Sequence, residues 1–402
     1  MSNPDVVTVV GVGAGGWPDL SGTAQRALTE AEVIFGSARQ LDLLPASVPG
    51  RREKWPSPLV PALPGLLEAE SGRSVCVLAS GDPMFHGIGS TLVRLIGADR
   101  IRVLPHPSSV SLAAARLGWD LTYADVVSLV TAPATTLHRW LNPGRRILIL
   151  SSGAQTPAEV AGLLDASGFG SASMTVLEQL GGPGERVVAG TAGTWMVPPG
   201  DPLNVIALEL GGGPPASCVP GLPDLGYAGD GQLTKRETRA VTLALLSPAP
   251  GQLLWDVGAG SGSIGIEWMR SHPACRAIAI ESSADRVATI TANAASLGVP
   301  GLRVVRGRAP EALDGLEAPD TIFVGGGLTR DGVLDRCLAE LRPGGRLVAN
   351  AVTVESEAVL AAGYAKFGGE LTRLTVQRGS PVGGFTGWRS FMPVTIWSVV
   401  PS

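Results

Sequence analysis

The chain has 402 residues, which at about 150 to 200 residues per domain predicts two or three domains. Apolar residues make up 45% and charged residues 16%, so a sizeable core can form and an intrinsically disordered protein is excluded. The net charge of −4 argues against a general nucleic-acid binder, because binding to phosphates favours a basic face. A local cluster of arginine and lysine can still bind an acidic small molecule.

The cysteines and the N-terminal residues indicate the cellular compartment in which the protein is expected to occur. Cys76, Cys218, Cys275 and Cys337 are far apart and include no C-x-x-C, so we expect buried thiols in a reducing compartment and neither disulfides nor a metal site. The N-terminus lacks a basic region followed by an apolar stretch, and no run of about 18 apolar residues occurs. We therefore expect a cytoplasmic protein without a signal peptide or a membrane span.

The first half alternates strands with helical stretches. Ser21 to Ala31 has helical spacing, and several short apolar runs have the composition of strands. The predicted strands are Thr8–Val12, Val75–Ala79, Ile101–Leu104, Arg145–Leu150 and Pro202–Leu210. Because these runs are apolar throughout, they predict an α/β fold whose strands are buried on both faces. We assign residues 1–210 to this first domain.

A nearly uncharged stretch rich in glycine and proline, residues 211–223, is the predicted linker. The α/β rhythm then restarts, with helices beginning near Ser263, Ala284 and Gly332. The predicted strands are Leu253–Val257, Ala277–Glu281, Arg303–Val305, Thr321–Val324 and Arg346–Val352, followed by an antiparallel pair at Leu371–Val376 and Thr395–Val400. The two halves share no repeat, so residues 224–402 are assigned to a second domain with a different fold.

The loop Asp256–Gly262 ends a predicted strand, precedes a predicted helix and has the pattern D-x-G-x-G-x-G. Glycines permit positive φ and let a ligand approach the backbone, and the free N–H groups of a helix N-terminus suit a carboxylate or a phosphate. The next strand ends at Glu281, where a carboxylate can accept hydrogen bonds from ribose hydroxyls. The sequence therefore predicts a nucleotide-type cofactor, and the glycine spacing favours S-adenosylmethionine over NAD.

This loop resembles motif I of class I methyltransferases. Together with Gly231–Ala240, Glu267 and Phe323–Gly327, it is similar to the small methyltransferases of cobalamin biosynthesis, which methylate carbon 15 of precorrin-6B and decarboxylate an acetate side chain. The resemblance runs from about Gly221 to the C-terminus and implies a Rossmann-like domain. It implies cofactor contacts at Thr234, Gly258, Ala259, Gly260, Ser261, Gly262, Glu281 and Ala309, and substrate contacts at Gly325 and Gly326. Gly327 stands where the family often has serine.

The segment around Thr234 carries two further predictions. Thr234 and Glu237 have the S/T-x-x-E spacing of a capping box, which predicts that Thr234 caps the following helix. Lys235, Arg236 and Arg239 fall in the first turns of that helix, where cations are locally unfavourable. The acetate and propionate groups of a precorrin would offset that cost, so these three side chains are candidate substrate contacts. A solvated charged face is the alternative.

Four segments of the first half resemble the tetrapyrrole methylases: Val10–Gly15, Leu28–Gly36, Leu78–Phe85 with its S-G-D-P loop, and the helix start at Pro107–Gly118. The resemblance covers about residues 6–210. It implies two α/β lobes that hold S-adenosylmethionine in the cleft between them. The cofactor contacts that it implies are Gly11, Gly13, Gly81, Asp82, Pro83, Ser108 and Ser109.

The two resemblances together imply a two-lobed tetrapyrrole methylase domain followed by a class I methyltransferase domain. Such a fusion is expected to methylate precorrin-6B at C5 with its first domain and at C15 with its second. It is also expected to remove the ring C acetate carboxylate as CO₂, giving precorrin-8 in cobalamin biosynthesis. S-adenosylmethionine is the expected cofactor and a homo-oligomer the expected assembly. The first half lacks a family His-Gly pair near Val130, so no catalytic residue is assigned, and His86, His106 and His138 are given no role.

Three alternatives stay open on the sequence alone. The chain could be another fusion of methyltransferases that use S-adenosylmethionine, acting on a different tetrapyrrole, RNA or protein. It could instead bind a cofactor or channel a substrate with one inactive half. An NAD-dependent dehydrogenase is the third alternative, and the spacing of the glycine loop disfavours it.

Overall fold

The computed structural model describes residues 6–215 and 217–401 and contains two compact units. The first unit holds the described residues up to Ala134 together with Pro143–Pro214. The second holds Thr135–Asn142 together with the described residues from Pro215 onward. The division after Pro214 falls inside the stretch 211–223, where glycine and proline disfavour regular structure.

The first unit begins with a parallel sheet of five strands in the order β3-β2-β4-β1-β5. Its strands are β1 (Val7–Val12), β2 (Val33–Gly36), β3 (Arg51–Lys54), β4 (Val75–Ser80) and β5 (Ile101–Leu104), connected by the helices α1 (Gly22–Glu30), α2 (Ala38–Asp42), α3 (Leu59–Ala69) and α4 (Ile88–Ile96). β1 is buried along its whole length, as its continuous apolar run predicts. Ser21 accepts the N–H of Ala24 and caps α1 at the predicted helix start.

The second sheet of this unit is mixed and has the order β6-β7-β10-β8-β9. β6 and β7 are parallel, and the other neighbouring strands are antiparallel. Its strands are β6 (Ala124–Ser128), β7 (Arg146–Leu150), β8 (Ser173–Glu178), β9 (Arg186–Thr191) and β10 (Asn204–Glu209), and its helices are α5 (Ser109–Leu117) and α6 (Thr156–Ala166). The two-lobed fold expected for the first half therefore consists of these two sheets and their helices.

The second unit is built on a seven-stranded sheet in the order β13-β12-β11-β14-β15-β19-β16. The first five strands of this order are parallel, and β19 is antiparallel to both neighbours. The strands are β11 (Leu253–Val257), β12 (Arg276–Glu281), β13 (Arg303–Arg306), β14 (Thr321–Val324), β15 (Arg346–Ala351), β16 (Glu370–Leu374) and β19 (Val394–Val399). The helices are α7 (Arg236–Leu246), α8 (Ser263–Ser271), α9 (Ala284–Ser296), α10 (Val333–Glu340) and α11 (Val354–Phe367).

The predicted strands of the second half match the observed ones closely. The predicted antiparallel pair near the C-terminus is confirmed by β16 and β19. α11 is absent from the sequence predictions, and so is a separate antiparallel hairpin of β17 (Gln377–Val382) and β18 (Phe385–Ser390). The signal for the hairpin is its two-residue turn Gly383–Gly384, a sequence typical of tight β-hairpins.

The segment Thr135–Asn142 belongs to the second unit although both of its chain neighbours belong to the first. His138 Nδ1 lies 3.1 Å from the carbonyl oxygen of Ala295, and Arg139 Nη2 donates to the carbonyl oxygen of Arg270 at 3.1 Å. Both carbonyls lie in the last turns of helices, where the helix dipole favours donors and positive charge. The second unit is therefore discontinuous in sequence. Across residues 6–215 and 217–401, no helix is long and apolar enough to cross a membrane.

Candidate functional site

A cavity of about 890 Å³ opens at the carboxyl ends of the parallel strands of the second unit. Its walls include the ends of β11 and β12 and the residues that follow β13, β14 and β15. Ligands of open parallel sheets bind outside the carboxyl ends of the strands, next to the loops that follow them. The cavity is therefore the candidate binding site of this unit.

The loop after β11 has three glycines with positive φ: Gly258 at 72°, Gly260 at 60° and Gly262 at 77°. Residues with a Cβ rarely adopt such angles, so the turn requires glycine. A Cβ at Gly258 would lie 2.6 Å from the backbone nitrogen of Gly326, which leaves no room for a side chain. The loop leads directly into α8, whose first N–H groups have no partner within the helix and suit a carboxylate of a ligand.

Glu281, at the end of β12, lines the cavity and is 6% exposed. Its carboxylate accepts hydrogen bonds from the N–H groups of Gly260 at 3.0 Å and Ser283 at 2.9 Å. These bonds tie the glycine loop to β12. A carboxylate has about four lone-pair sites, so this one can also accept from ribose hydroxyls, the role expected from the sequence.

Asp256 begins the glycine-loop pattern but lies under the loop and is 1% exposed. Its Oδ2 accepts the N–H of Gly265 at 2.9 Å, whereas its Oδ1 has no hydrogen-bond partner among the described residues. Burial raises the pKa of this carboxyl to about 7, with a smaller contribution from Glu281 and against the effect of the Gly265 bond. Asp256 therefore joins β11 to the first turn of α8 and does not line the cavity.

The fold brings most of the predicted residues of the second half into one place. The cavity is lined by Thr234, Lys235, Gly258, Ala259, Gly260, Ser261, Glu281, Ala309, Gly325 and Gly326. Gly262 does not line it. This glycine is the N-cap of α8 and is packed against Ile290, from which a Cβ would lie 2.9 Å.

The predicted capping box is wrong. α7 begins at Arg236 with Lys235 as N-cap, and no side chain of the N-cap position accepts a hydrogen bond. Instead, Asp224 Oδ1 accepts the N–H of Arg236 at 2.9 Å. An acidic group from outside the helix satisfies this N–H and opposes the positive end of the helix dipole. Thr234 lies one residue before the N-cap and lines the cavity.

Two of the three predicted cationic substrate contacts are also not found at the cavity. Arg239 is fully buried, and its Nε donates to Glu267 Oε1 at 2.6 Å. Its other guanidinium nitrogens donate to Asp224 and to two backbone carbonyls, so four of its five N–H groups are used, and the buried side chain does not line the cavity. Arg236 is exposed and does not line the cavity. Arg239 is on the inner face of α7 with Thr242, Leu243 and Leu246, which lie three, four and seven residues further on and are also buried. Arg236 is the first residue of the helix, and its side chain is exposed.

The cavity is also lined by polar and charged residues that the sequence interpretation did not single out, including Thr238, Arg286, Arg308, Arg330 and Asn350. Arg308 precedes Ala309 just after β13, and the end of a parallel strand is the signal that pointed to it. Asn350 lies within β15, three strands away from β12 in the sheet, and no local motif marks it. Apolar residues that follow β16 or precede β19 complete the wall.

A smaller cavity of about 90 Å³ lies in the first unit and is lined by residues from both of its sheets. Among the predicted residues Gly13, Gly81 and Ser109 line it. Gly81 has a φ of 61°, and a Cβ at Gly13 would lie 2.6 Å from the ring of His106. Because these two glycines have no side chain, a ligand can approach the backbone of both loops closely.

Gly11, Asp82, Pro83 and Ser108 do not line this cavity. A Cβ at Gly11 would overlap the carbonyl oxygen of Gly81, so Gly11 allows the two loops to touch. Asp82 Oδ1 accepts the N–H two residues further on at 2.8 Å, and Ser108 caps α5 by accepting the N–H three residues further on at 3.0 Å. These residues shape the loops beside the cavity.

Asn204 and Arg39 line the smaller cavity without having been predicted. Asn204 is 8% exposed, and its Nδ2 donates to the carbonyl oxygens of Asp201 at 2.9 Å and Gly153 at 3.3 Å. Both amide hydrogens are therefore used, while Oδ1 is buried and has no partner in the described part of the chain. Arg39 donates to Ser80 Oγ at 2.8 Å, and partial burial lowers its pKa.

Two family profiles match the chain. Residues 6–195 match the tetrapyrrole (corrin/porphyrin) methylases, and residues 226–401 match the precorrin methyltransferase domain. A precorrin-6Y C(5,15)-methyltransferase [decarboxylating] of Sinorhizobium sp is 48% identical over 99% of this chain and 98% of its own length. The chain belongs to the precorrin-6Y C5,15-methyltransferase (decarboxylating) family.

Shorter relatives of this family each cover under half of the chain. The cobalt-precorrin-7 C(5)-methyltransferase of Salmonella typhimurium is 30% identical over 45% of this chain and 89% of its own length. A relative from Pyrobaculum calidifontis, described as a probable cobalt-precorrin-6B C(15)-methyltransferase (decarboxylating), is 36% identical over 44% of this chain and 95% of its own length. Membership of the precorrin-6Y C5,15-methyltransferase family decides against the NAD-dependent dehydrogenase.

Proposed function

We propose that the chain converts precorrin-6B to precorrin-8 by two methyl transfers and the loss of one CO₂. The first unit methylates C5, and the second methylates C15 and decarboxylates the ring C acetate. The carrying observation is the full-length similarity to precorrin-6Y C5,15-methyltransferases, joined to a glycine-lined cavity in each unit. S-adenosylmethionine supplies a methyl group that its sulfonium makes electrophilic.

The residues at the larger cavity fit S-adenosylmethionine. The backbone around Gly258 forms a cradle that a Cβ would fill, and Ser263 and Ile264, the first residues of α8, line the cavity, where a helix N-terminus suits the cofactor carboxylate. Glu281 is the proposed acceptor of the ribose hydroxyls. In this role the protein binds and aligns the reactants and excludes water from them, and the cofactor carries the difficult chemistry.

The smaller cavity has a buried hydrogen-bond acceptor in its wall that also suits the cofactor. The buried Oδ1 of Asn204 needs a hydrogen-bond donor, and an unpaired buried acceptor costs about 1–3 kcal/mol. S-adenosylmethionine has several N–H and O–H donors. We propose that it binds between the Gly13 and Gly81 loops on one side and β10 on the other.

Cations at the larger cavity are the proposed contacts of the substrate carboxylates. Lys235 lines the cavity and its Nζ donates only to the carbonyl oxygen of Gly231, at 3.1 Å, among the described residues. Arg308 also lines it and is exposed, with no ion pair in the described part of the chain. Of the cations predicted from the sequence, Lys235 is retained in this proposal, and Arg308 takes the place of Arg236 and Arg239.

A matched pair of variants tests the division of labour between the units. Gly260→Val adds a β-branched side chain to the wall of the larger cavity at a φ of 60°, and Gly13→Val pushes a side chain into the ring of His106 beside the smaller one. Each full-length variant is incubated with precorrin-6B and S-adenosylmethionine, and the products are weighed. We expect Gly260→Val to abolish C15 methylation and CO₂ loss, and Gly13→Val to abolish C5 methylation. Wild-type protein that adds no methyl group would refute the proposed function.

Counting cofactor sites tests the alternative of one inactive half. Titration calorimetry with S-adenosylhomocysteine is expected to give two sites per chain in the wild type and one in each variant. A wild-type stoichiometry of one would favour a chain in which one half has lost its activity.

We further propose a homo-oligomer in a reducing, cytoplasmic compartment. Large apolar side chains on the hairpin support self-association, because Phe385 is 85% and Trp388 77% exposed. Free thiols at Cys76, Cys275 and Cys337 are buried, which is compatible with a reducing environment, whereas the thiol of Cys218, which the sequence predicted to be buried, is exposed. Light scattering on the wild type and on Trp388→Glu would show whether the hairpin mediates assembly.

A further inference from the structure

The strand order divides the larger cavity into two ends. Glu281 belongs to β12, and Arg308 follows β13 at one edge of the sheet. Asn350 belongs to β15, which is three strands away from β12 in the order β12-β11-β14-β15, or about 14 Å at the usual strand spacing. The end beyond β14 is lined by Asn350, Val352, Leu374, Val376, Phe391 and Val394 and is called the uncharged end below.

The charged lining groups are held toward the opposite end. Arg330 follows β14, but its guanidinium donates to Ala309 and Glu311, which follow β13. Arg286 pairs with Asp230 at 2.7 Å, and Lys235 donates to the adjacent Gly231. Each of these cations is thereby drawn toward β12, β13 or the start of α9.

One arginine approaches the uncharged end from outside. Arg378 lies 5.1 Å from the ring of Phe391, but it does not line the cavity. It pairs with Asp224 at 3.0 Å and with Glu237 at 2.5 Å, so two carboxylates neutralise it. Among the described residues, the side chains that line the uncharged end carry no charge.

Asn350 is a polar group at the uncharged end whose hydrogen bonding is incomplete. Its Nδ2 donates to Thr242 Oγ1 at 2.9 Å, and Thr242 is fully buried. Its Oδ1 is buried and has no partner among the described residues, which costs about 1–3 kcal/mol. Turning the amide over would pair Oδ1 with the Thr242 hydroxyl and leave the Nδ2 hydrogens for a ligand. In either state one half of the amide has no partner among the described residues, and Asn350 lines the cavity.

We propose that the uncharged end holds the acetate group that is lost as CO₂, and that Asn350 orients it. This inference rests on the proposed function. In the reaction the bond between the acetate methylene and the carboxylate carbon breaks, and its electron pair passes into the conjugated macrocycle. The methylene then takes a proton from water, so that R–CH₂–CO₂⁻ and H⁺ give R–CH₃ and CO₂.

The absence of a cation at this end has a direct chemical consequence. Negative charge leaves the carboxylate as the bond breaks, so a paired cation stabilises the reactant more than the transition state and slows the reaction. A neutral amide can align the carboxylate without neutralising it. The cations at the other end are then available for the carboxylates that the substrate keeps.

Val352→Lys tests the proposal by adding a cation at the uncharged end, with Val352→Met as a control of similar length and no charge. Val354→Lys, 79% exposed and outside the cavity, controls for the added charge alone. Relative to Val352→Met, we expect Val352→Lys to lower kcat for CO₂ release about tenfold and to lower KM for precorrin-6B, the signature of a stabilised ground state. Val354→Lys is expected to match the wild type.

Equal rates of CO₂ release in Val352→Lys and Val352→Met would overturn the inference, and so would a fall in kcat with a raised KM. Asn350→Leu is expected to slow CO₂ release about tenfold while changing S-adenosylhomocysteine affinity less than twofold, which also shows that the variant is folded. Unchanged CO₂ release in Asn350→Leu would overturn the role of Asn350. Failure of the proposed function is distinct, since wild-type protein would then release no CO₂ at all.

Discussion

Arg239→Leu offers a sharp test of how the structure assigns the cations of α7. Arg239 and Glu267 are 0% and 2% exposed, and they meet at 2.6 Å. Glu267 also accepts from the Tyr227 hydroxyl at 2.8 Å and from the N–H of Leu222 at 3.1 Å. Removing one partner of a buried pair leaves an uncompensated charge and costs about 3–5 kcal/mol. The free energy of unfolding of the second unit is expected to fall by about that amount.

Urea denaturation of the full chain, followed by tryptophan fluorescence, measures this change. Trp255, Trp268 and Trp397 are fully buried in the second unit and report its unfolding. Arg236→Leu, exposed on the same helix, is the matched control and is expected to change stability by less than about 0.5 kcal/mol. Leucine at both 239 and 267 is expected to recover part of the loss, because no lone charge stays buried.

The opposite result would refute this reasoning. If Arg239→Leu kept the wild-type unfolding midpoint but raised KM for precorrin-6B, its guanidinium would be a substrate contact, as the sequence interpretation held. The network also fixes the chain before α7, because Arg239 donates to the carbonyls of Leu222 and Thr234. Arg239→Leu is therefore also expected to weaken S-adenosylhomocysteine binding at the larger cavity.

Three further predictions concern the two sites. In Gly258→Ala, the Cβ meets the backbone of Gly326 at a φ of 72°, so calorimetry is expected to show loss of one of two S-adenosylhomocysteine sites; retention of both would contradict the assigned cradle. Burial raises the pKa of Asp256 to about 7, so the stability contributed by its neutral form is complete below about pH 4 and is lost as the pH rises through 7. The urea midpoint of the second unit is expected to fall between pH 5.5 and 8 by more in the wild type than in Asp256→Asn; equal falls would show that Asp256 is not the titrating group. Asn204→Ala removes the acceptor at the smaller cavity and is expected to weaken one site only, about tenfold; two weakened sites would argue against a local role.

The central strands could be predicted because their signal is local. Continuous apolar runs such as Leu253–Val257 and Thr321–Val324 are buried on both faces of a parallel sheet, and the structure has strands at those residues. The glycine loop was predicted for the same reason, since a turn with positive φ limits the residue type. The helix start of α7 was not predicted correctly, because Asp224, twelve residues earlier, replaces the expected cap.

Tertiary structure decided which predicted side chains reach a ligand. Lys235 and Arg239 are on one short segment with the same charge, yet Lys235 lines the cavity and Arg239 is buried against Glu267. Sequence spacing gives the face of a helix but not which neighbour covers it. Asn204 and Asn350 were missed for a related reason: a buried amide is marked only by its hydrogen-bond partners, and those come from distant parts of the chain.

By itself the sequence determined the two α/β halves, the glycine loop with its acidic partner and the family resemblance, because each depends on short runs of residues. Only the tertiary structure decided the ends of the larger cavity, since the order of strands in the sheet differs from their order in the chain. That order sets Arg308 and Asn350 at opposite ends of one cavity. The charge pattern that a substrate meets therefore depends on the order of strands in the sheet. Local sequence supplies the charged side chains, but their positions relative to one another are fixed only when the sheet forms.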